Sequence, residues 1–115
     1  MVNLDWHDKL LTGVDKLDDD HKHVLEIMRE LQQRIEKQDY DPCSALFADL
    51  LAAGAAHFEY EEAYLAKANY SYIEEHIQFH HDLVLKVKNV KAICETPEKR
   101  DELKSAFDIM AEFLK

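Results

Sequence analysis

The stretch His57–Glu62 reads His-Phe-Glu-Tyr-Glu-Glu and lies in the middle of the 115-residue chain. In a helix, His57 and Glu61 project from the same stripe, one turn apart. A second pair with the same spacing, His76 and His80, follows downstream. Imidazoles and carboxylates are metal ligands, so the spacing predicts a helical protein that brings these groups together around metal.

The composition is that of one soluble, helical domain. Hydrophobic residues make up 47% and charged residues 33% of the chain, and two glycines and two prolines leave little turn chemistry for a many-stranded sheet. The net charge of −10 argues against nucleic acid and against an anionic membrane surface as partners. No apolar run is long enough to cross a membrane, and the N-terminus is not a signal peptide. We therefore expect a cytoplasmic monomer.

The two cysteines, Cys43 and Cys94, form neither a CxxC motif nor a disulfide framework. We interpret both as packed thiols in a reducing compartment. A single bridge between helix ends is the alternative.

Four amphipathic segments with short connections predict an all-α, up-down-up-down four-helix bundle over residues 1–115. An N-terminal arm, residues 1–14, is expected to lie across the bundle with Trp6 as its anchor. The predicted helices are about 15–37, 42–68, 71–94 and 97–115. The expected helix starts combine a capping residue with proline or glutamate, and they are Asp41 with Pro42, Ser71 with Glu74, and Thr96 with Pro97.

The apolar stripe of each helix defines the predicted core, and the ligand-type residues lie on the stripes of three helices. The stripes are His21, Val24, Leu25, Met28, Leu31 and Ile35; Leu46, Leu50, Ala53, His57, Glu61, Tyr64 and Leu65; Ile73, His76, His80, Leu83, Val84, Val87 and Val90; and Leu103, Phe107, Met110, Phe113 and Leu114. The run Ala52–Ala56 before His57 contains only small residues. Close packing of a neighbouring helix is the expected reason, and room for a ligand is the alternative.

A polar core network and a metal site are two explanations for these inward-facing groups. A lone inward histidine is more often bonded to a core neighbour than to a metal. Burying four imidazoles and a carboxylate without partners, however, would cost several kcal/mol, and a metal satisfies them together. Because four histidines and one glutamate exceed the four ligands of a single zinc site, a two-metal site with Glu61 between the ions accommodates more of them.

The whole chain resembles the hemerythrin family, in particular the single-domain bacterial hemerythrins. The matching features are the Trp6 arm, Gly13-Val14, the acidic start of the first helix in Asp18–Lys22, the His-Phe-x-x-Glu-Glu motif of His57–Glu62, and the His-x3-His motif of His76–His80. The resemblance implies an oxo-bridged pair of non-haem irons. It assigns His21 and His57 to one iron, His76 and His80 to the other, and Glu61 to a bridge between them.

The remaining polar residues near these motifs match no ligand position of the family. Glu62 lies off the stripe and is expected beside the ligands or at the surface. His7, His23 and His81 are expected at the surface.

The family completes its site from the last helix, with a His and, five residues on, a bridging Asp. Aligned on Phe113 and Leu114, that His falls just beyond Lys115, and Asp108 and Glu112 lie off the stripe and replace neither ligand. One interpretation is that the chain stops short of its natural end, which we favour because an amphipathic pattern rarely stops in mid-phase. The other is a variant with an incomplete site and weaker iron binding.

The resemblance implies reversible binding of dioxygen, for oxygen carriage, storage or delivery, by a protein that is not an enzyme. Leu25, Met28 and the small run before His57 are expected to line an apolar pocket at the open metal position. The alternatives are an oxygen or redox sensor domain, a di-iron peroxidase or a scavenger of nitric oxide or peroxide, and a structural bundle whose site is empty or holds another metal. The absence of an acid–base group beyond the ligands disfavours the enzyme.

Overall fold

The computed structural model describes residues 15–114, and this part of the chain folds into α-helices without a strand. The helices are α1 (Asp15–Glu36), α2 (Cys43–Lys67), α3 (Ile73–Cys94) and α4 (Leu103–Leu114), with a 3₁₀ helix (Pro97–Glu102) directly before α4. α2 packs against α1 and α3, and α4 also packs against α1 and α3. The predicted four-helix bundle is confirmed, whereas the predicted arm with Trp6 lies outside the described residues.

The turn between α2 and α3 sets the two ligand-bearing helices against each other. Asn69 has a φ of 58°, in the left-handed region that asparagine tolerates better than most residues. The N–H of Tyr70 donates to the carbonyl of Leu65 at 3.1 Å, which satisfies one of the free carbonyls at the end of α2. Because this turn is short, the end of α2 runs antiparallel to the start of α3.

The predicted capping box at the start of α3 is wrong. α3 begins at Ile73, the residue before it is Tyr72, and no side chain caps this end. The N–H of His76 donates to the carbonyl of Tyr72 at 3.0 Å, so the first helical hydrogen bond forms after Ser71 and not from it.

The other two helix starts also differ from their predictions. Pro42, not Asp41, is the residue that precedes α2, and no side chain caps this end. Thr96 does precede Pro97 as expected, but the two residues open the 3₁₀ helix, and the Thr96 hydroxyl donates backwards to the carbonyl of Ala92 at 2.9 Å. α4 therefore starts later than the proline signal predicted.

The apolar core lies at the end of the bundle remote from the α2–α3 turn. Its buried residues are Leu25, Ile27, Met28, Leu31, Ile35, Cys43, Phe47, Leu50, Val87, Val90, Cys94, Leu103, Phe107, Met110 and Ala111. Cys43 and Cys94 are buried free thiols, as predicted, and burial raises the pKa of Cys43 to about 11. Within residues 15–114 we find no helix that is both long and apolar enough to span a lipid bilayer.

The buried faces differ in places from the predicted stripes. Phe47 is completely buried although it lies beside the predicted stripe, because α2 contacts helices on two sides and buries a broader face. Tyr64 and Phe113 are 45% and 48% exposed, since both lie near the ends of their helices, beyond the packed core. The side chain of Leu114 lies outside the described part of the chain.

Candidate metal centre

Glu61 is surrounded by imidazoles at the end of the bundle near the α2–α3 turn. His57 Nε2 lies 3.4 Å from Glu61 Oε2. On the other carboxylate oxygen, Oε1, His80 Nε2 lies 3.2 Å away and His76 Nε2 is in hydrogen-bond contact. The two oxygens of one carboxylate therefore face histidines of two different helices.

Helical spacing and antiparallel packing produce this arrangement. His57 and Glu61 are one turn apart on α2, and His76 and His80 are one turn apart on α3. Glu61, His76 and His80 can each place one ligand atom within 4.8 Å of the others, a separation compatible with a shared cation. The i, i+4 pattern that the sequence displays is thus the pattern that aims the side chains at one another.

His21 joins the cluster from α1. Its ring centroid lies 6.1 Å from that of His57, and the two ring planes are inclined by 27°. All five predicted ligand residues consequently meet at one end of the bundle. His21 and His57 lie on one side of Glu61, and the α3 pair lies on the other side.

Glu61 is held in its ionised form. Hydrogen bonds from His57, and after it from His80 and His76, keep the pKa of Glu61 well below its usual range, although burial acts in the opposite direction. A carboxylate must be deprotonated to bind a metal ion, so Glu61 is available as a ligand at physiological pH.

Unsatisfied atoms in the cluster allow a test of whether a metal fits. Nδ1 of His57, Nδ1 of His80 and Oδ2 of Asp20 are buried and have no hydrogen-bond partner among the described residues. Leaving such a group unpaired costs about 1–3 kcal/mol. Imidazole that binds a metal through one nitrogen presents the other as a fixed N–H donor. Because imidazole and carboxylate are also preferred ligands of first-row metals, the residues present fit a metal ion.

Aromatic side chains hold the planes of the α3 histidines. The ring of Phe58 stacks on His80 with centroids 3.9 Å apart and planes 9° apart. Tyr70 presents its ring edge-on to His76 at 6.3 Å. The sequence reasoning named neither contact as part of the site, although Phe58 directly follows His57 in the motif that suggested it.

A cavity of about 290 Å³ adjoins the cluster. Its polar wall consists of the five predicted ligand residues, and its apolar wall includes Leu17, Val24, Leu50, Leu51, Gly54, Ala55, Leu83 and Val87. Leu25 and Met28, predicted as lining, are instead part of the core, because the cavity-facing side of α1 carries Leu17, His21 and Val24.

Within the small-residue run of α2, Ala53 packs against the core, whereas Gly54 does not serve the close helix packing that the sequence predicted. A Cβ atom added to Gly54 would meet no atom within 4 Å. Gly54 and Ala55 both line the cavity, so at these positions the small side chains leave space beside the site.

Two carboxylates lie close to the histidines, and the sequence did not predict these contacts. Asp20 Oδ2 lies 3.8 Å from Nδ1 of His57, and Glu62 Oε2 lies 3.4 Å from Nδ1 of His80. The sequence identifies Asp20 only as part of an acidic helix start, and it predicts Glu62 only beside the ligands or at the surface. Their one sequence signal is that each directly neighbours a ligand-type residue.

The remaining titratable residues fall outside the cluster. His23 and His81 are exposed, as predicted, and the predicted surface position of His7 lies outside the described residues. Asp108 of α4 is half-buried, with a buried Oδ1 that has no hydrogen-bond partner in the described part, and Glu112 is exposed. Neither belongs to the group of ligand atoms around Glu61.

Imidazoles and a carboxylate that project inward from facing helices define a class of helical bundles that bind metal ions in their interior. The family model for the hemerythrin HHE cation binding domain matches residues 12–115. The chain therefore belongs to the hemerythrin family.

Named relatives give the same assignment. The chain is 26% identical over 105 residues to a bacteriohemerythrin of Pseudomonas aeruginosa. This alignment covers 90% of this chain and 69% of the relative. It is 30% identical over 87 residues to a myohemerythrin of Riftia pachyptila, and this alignment covers 76% of this chain and 68% of the relative. It is also 30% identical over 94 residues to a bacteriohemerythrin of Clostridium acetobutylicum, where the alignment covers 76% of this chain and 73% of the relative. No solved structure matched significantly.

Proposed function

We propose that the chain is a non-haem di-iron protein that binds dioxygen reversibly, for oxygen carriage, storage or delivery. Membership of the hemerythrin family supports a metal-binding, oxygen-related function. The ligand set proposed for the two irons is His21, His57, Glu61, His76 and His80.

The two-sided environment of Glu61 carries this proposal. Oε2 faces His57, with His21 beside it, whereas Oε1 faces His76 and His80. A carboxylate placed in this way suits two metal ions better than one, because each oxygen has its own set of imidazoles. The last-helix His and Asp that the family resemblance implies are not in this sequence, so five residues make up the proposed set.

The chain's own contribution is to hold the metals and to keep water away from them. His21, His57, Glu61, His76 and His80 would hold the irons, which would supply the redox chemistry for dioxygen binding. Aliphatic side chains such as Val24, Leu50 and Leu83 give the cavity a wall without hydrogen-bonding groups. Such an apolar surrounding limits solvent access to the metals. The volume of about 290 Å³ is ample for a diatomic ligand, since one water needs about 10–15 Å³ by the same kind of measure.

The cavity lining favours binding over catalysis. Among the cavity-lining residues within 15–114, every titratable side chain belongs to the proposed ligand set. Among the described lining residues there is consequently no separate group to act as a general acid or base on a substrate.

Elemental analysis and an optical spectrum in air test the proposal. Protein produced with iron should contain two irons per chain and show oxo-to-iron charge-transfer bands. His57→Ala and Glu61→Ala should each lose most of the iron while the far-ultraviolet circular dichroism stays helical. Zinc alone, or no metal after production with iron, would overturn the assignment.

His23→Ala is the matched control for the ligand variants. His23 is exposed on α1, two residues from His21, and should retain the full iron content. Loss of iron from His23→Ala, or an unchanged iron content in both His57→Ala and Glu61→Ala, would show that the ligand assignment is wrong.

A further inference from the structure

Two of the site histidines each have a carboxylate on the side turned away from Glu61. His57 has its Nε2 3.4 Å from Glu61 Oε2 and its Nδ1 3.8 Å from Asp20 Oδ2. His80 has its Nε2 3.2 Å from Glu61 Oε1 and its Nδ1 3.4 Å from Glu62 Oε2. The same order of groups, carboxylate–imidazole–Glu61, therefore occurs on both sides of the central glutamate.

Three of the four atoms that face each other in these pairs are otherwise unsatisfied. Nδ1 of His57, Nδ1 of His80 and Oδ2 of Asp20 are buried and lack a hydrogen-bond partner within residues 15–114. Both separations exceed a normal N–H···O distance by less than 1 Å, a gap that a small rotation of either side chain closes. Each buried nitrogen thus has one anionic acceptor next to it.

Neighbouring contacts orient one member of each pair, Asp20 in the first and His80 in the second. Asp20 Oδ1 is bound by the ammonium group of Lys16 at 2.7 Å, which leaves Oδ2 directed at His57. Phe58 stacks on the face of His80 and restricts that ring to the plane in which Nδ1 points at Glu62.

A carboxylate acceptor at Nδ1 determines which imidazole nitrogen carries the proton. In the metal-free protein Nε2–H faces Glu61, and a bound ion would take the place of that proton. With the remaining proton held on Nδ1, the lone pair of Nε2 would be directed at the ion. The acceptor also makes the imidazole a more basic ligand and fixes the orientation of its ring. Asp20 neighbours the proposed ligand His21, and Glu62 neighbours Glu61, so the helices that supply ligands also supply these acceptors.

The geometry points to Asp20 and Glu62 as positioning residues that hold His57 and His80 in the metal-binding tautomer and orientation. This assignment rests on the proposed metal site. It adds two residues on the outer side of the histidines to the five that are proposed to touch the ions.

The test measures metal affinity in Asp20→Asn and Glu62→Gln, which keep the side-chain shape and remove the charge. The matched controls are Asp19→Asn and Glu59→Gln, at exposed neighbouring positions of the same helices. The dissociation constant for iron(II) is determined without oxygen, at one pH, by competition with a chelator. Each site variant should bind iron(II) about 10–100-fold more weakly than wild type, and each control should stay within about twofold.

A second measurement separates positioning from a general loss of structure. In zinc-loaded protein with ¹⁵N-labelled histidine, the Nδ1-bound protons of His57 and His80 should give resolved, slowly exchanging signals. Asp20→Asn should broaden or shift the His57 signal alone, and Glu62→Gln the His80 signal alone. The conservative variants Asp20→Glu and Glu62→Asp should restore part of the affinity.

The outcomes distinguish this inference from the proposed function. If wild type and both controls bind iron(II) and the two site variants bind it equally well, the positioning role is wrong and the metal site stands. If wild type itself binds no metal, the proposed function and the positioning role fall together.

Discussion

Glu61 is an ionised carboxylate among three imidazoles, and this makes its titration measurable in the metal-free protein. Because its pKa is lowered in the folded state, mainly by hydrogen bonds from His57 and His80, ionised Glu61 stabilises the fold at pH values above the ordinary glutamate pKa of about 4.5. That contribution is lost as the pH falls towards the lowered pKa. Metal-free Glu61→Gln should therefore be less stable than wild type by about 1.5–3 kcal/mol at pH 6, and the difference should shrink below pH 4.5.

Urea unfolding of both proteins at several pH values between 3 and 6 measures this difference. Glu59→Gln, on the exposed side of α2, serves as the control and should follow the wild-type pH dependence. A wild-type advantage over Glu61→Gln that stays constant across this range would contradict the lowered pKa.

Single residues also mark how far the sequence could predict the site. His57, Glu61, His76 and His80 were predictable because helical spacing alone places each pair on one stripe. Asp20 was not, since a carboxylate in an acidic helix start has the same local pattern whether it faces solvent or a histidine of another helix. The contact with His57 depends on how α1 packs against α2, which no short motif contains.

Within α2, Gly54 is unusual for two reasons. A glycine in a helix interior lowers stability, and no neighbouring group packs closely enough here to require one. Gly54 lies in a helix of 25 residues, and an added Cβ would meet no atom within 4 Å. Gly54→Ala should therefore raise the unfolding free energy by about 0.5–1 kcal/mol, through the lower backbone entropy of the unfolded chain. The melting temperature should rise by about 2–8 °C, with iron content unchanged, since one methyl group occupies little of the cavity.

Ala56→Gly on the same helix provides the opposite change. Ala56 is exposed, so this variant should lower the unfolding free energy by a similar amount. If Gly54→Ala melts at a lower temperature than wild type, a neighbouring group must approach α2 more closely than the structure indicates.

The helices themselves were more predictable than their ends. Apolar periodicity located α1, α2 and α3 with small differences, the largest at the start of α3, predicted at residue 71 and observed at Ile73. The capping residues predicted the wrong helix start where residues assigned to the helix belong to the preceding turn, as at Ser71. The start of α4 was placed too early because Thr96 and Pro97 open a 3₁₀ helix, and a proline signal does not distinguish the two helix types.

At the scale of the whole molecule, packing and metal binding occupy opposite ends of the bundle. The core draws on Leu25–Ile35 of α1, the first turns of α2, the last turns of α3, and α4. The proposed site lies where α2 ends and α3 begins, next to a cavity of about 290 Å³ and to buried atoms without partners. Local stability should accordingly be lower at the site end when no metal is bound.

Amide hydrogen exchange of the metal-free protein should show this difference directly. Amides of His57–Lys67 and Ile73–His80 should exchange faster than those of Cys43–Leu50, because opening the site end exposes less buried apolar surface. Metal that binds only the closed form should slow exchange at the site end about 100-fold when its free concentration is 100 times the dissociation constant. Glu61→Ala should abolish the slowing of exchange by metal. This result would show that the slowing depends on a proposed ligand. Equal protection of both ends without metal would contradict the division of the bundle into a core end and a site end.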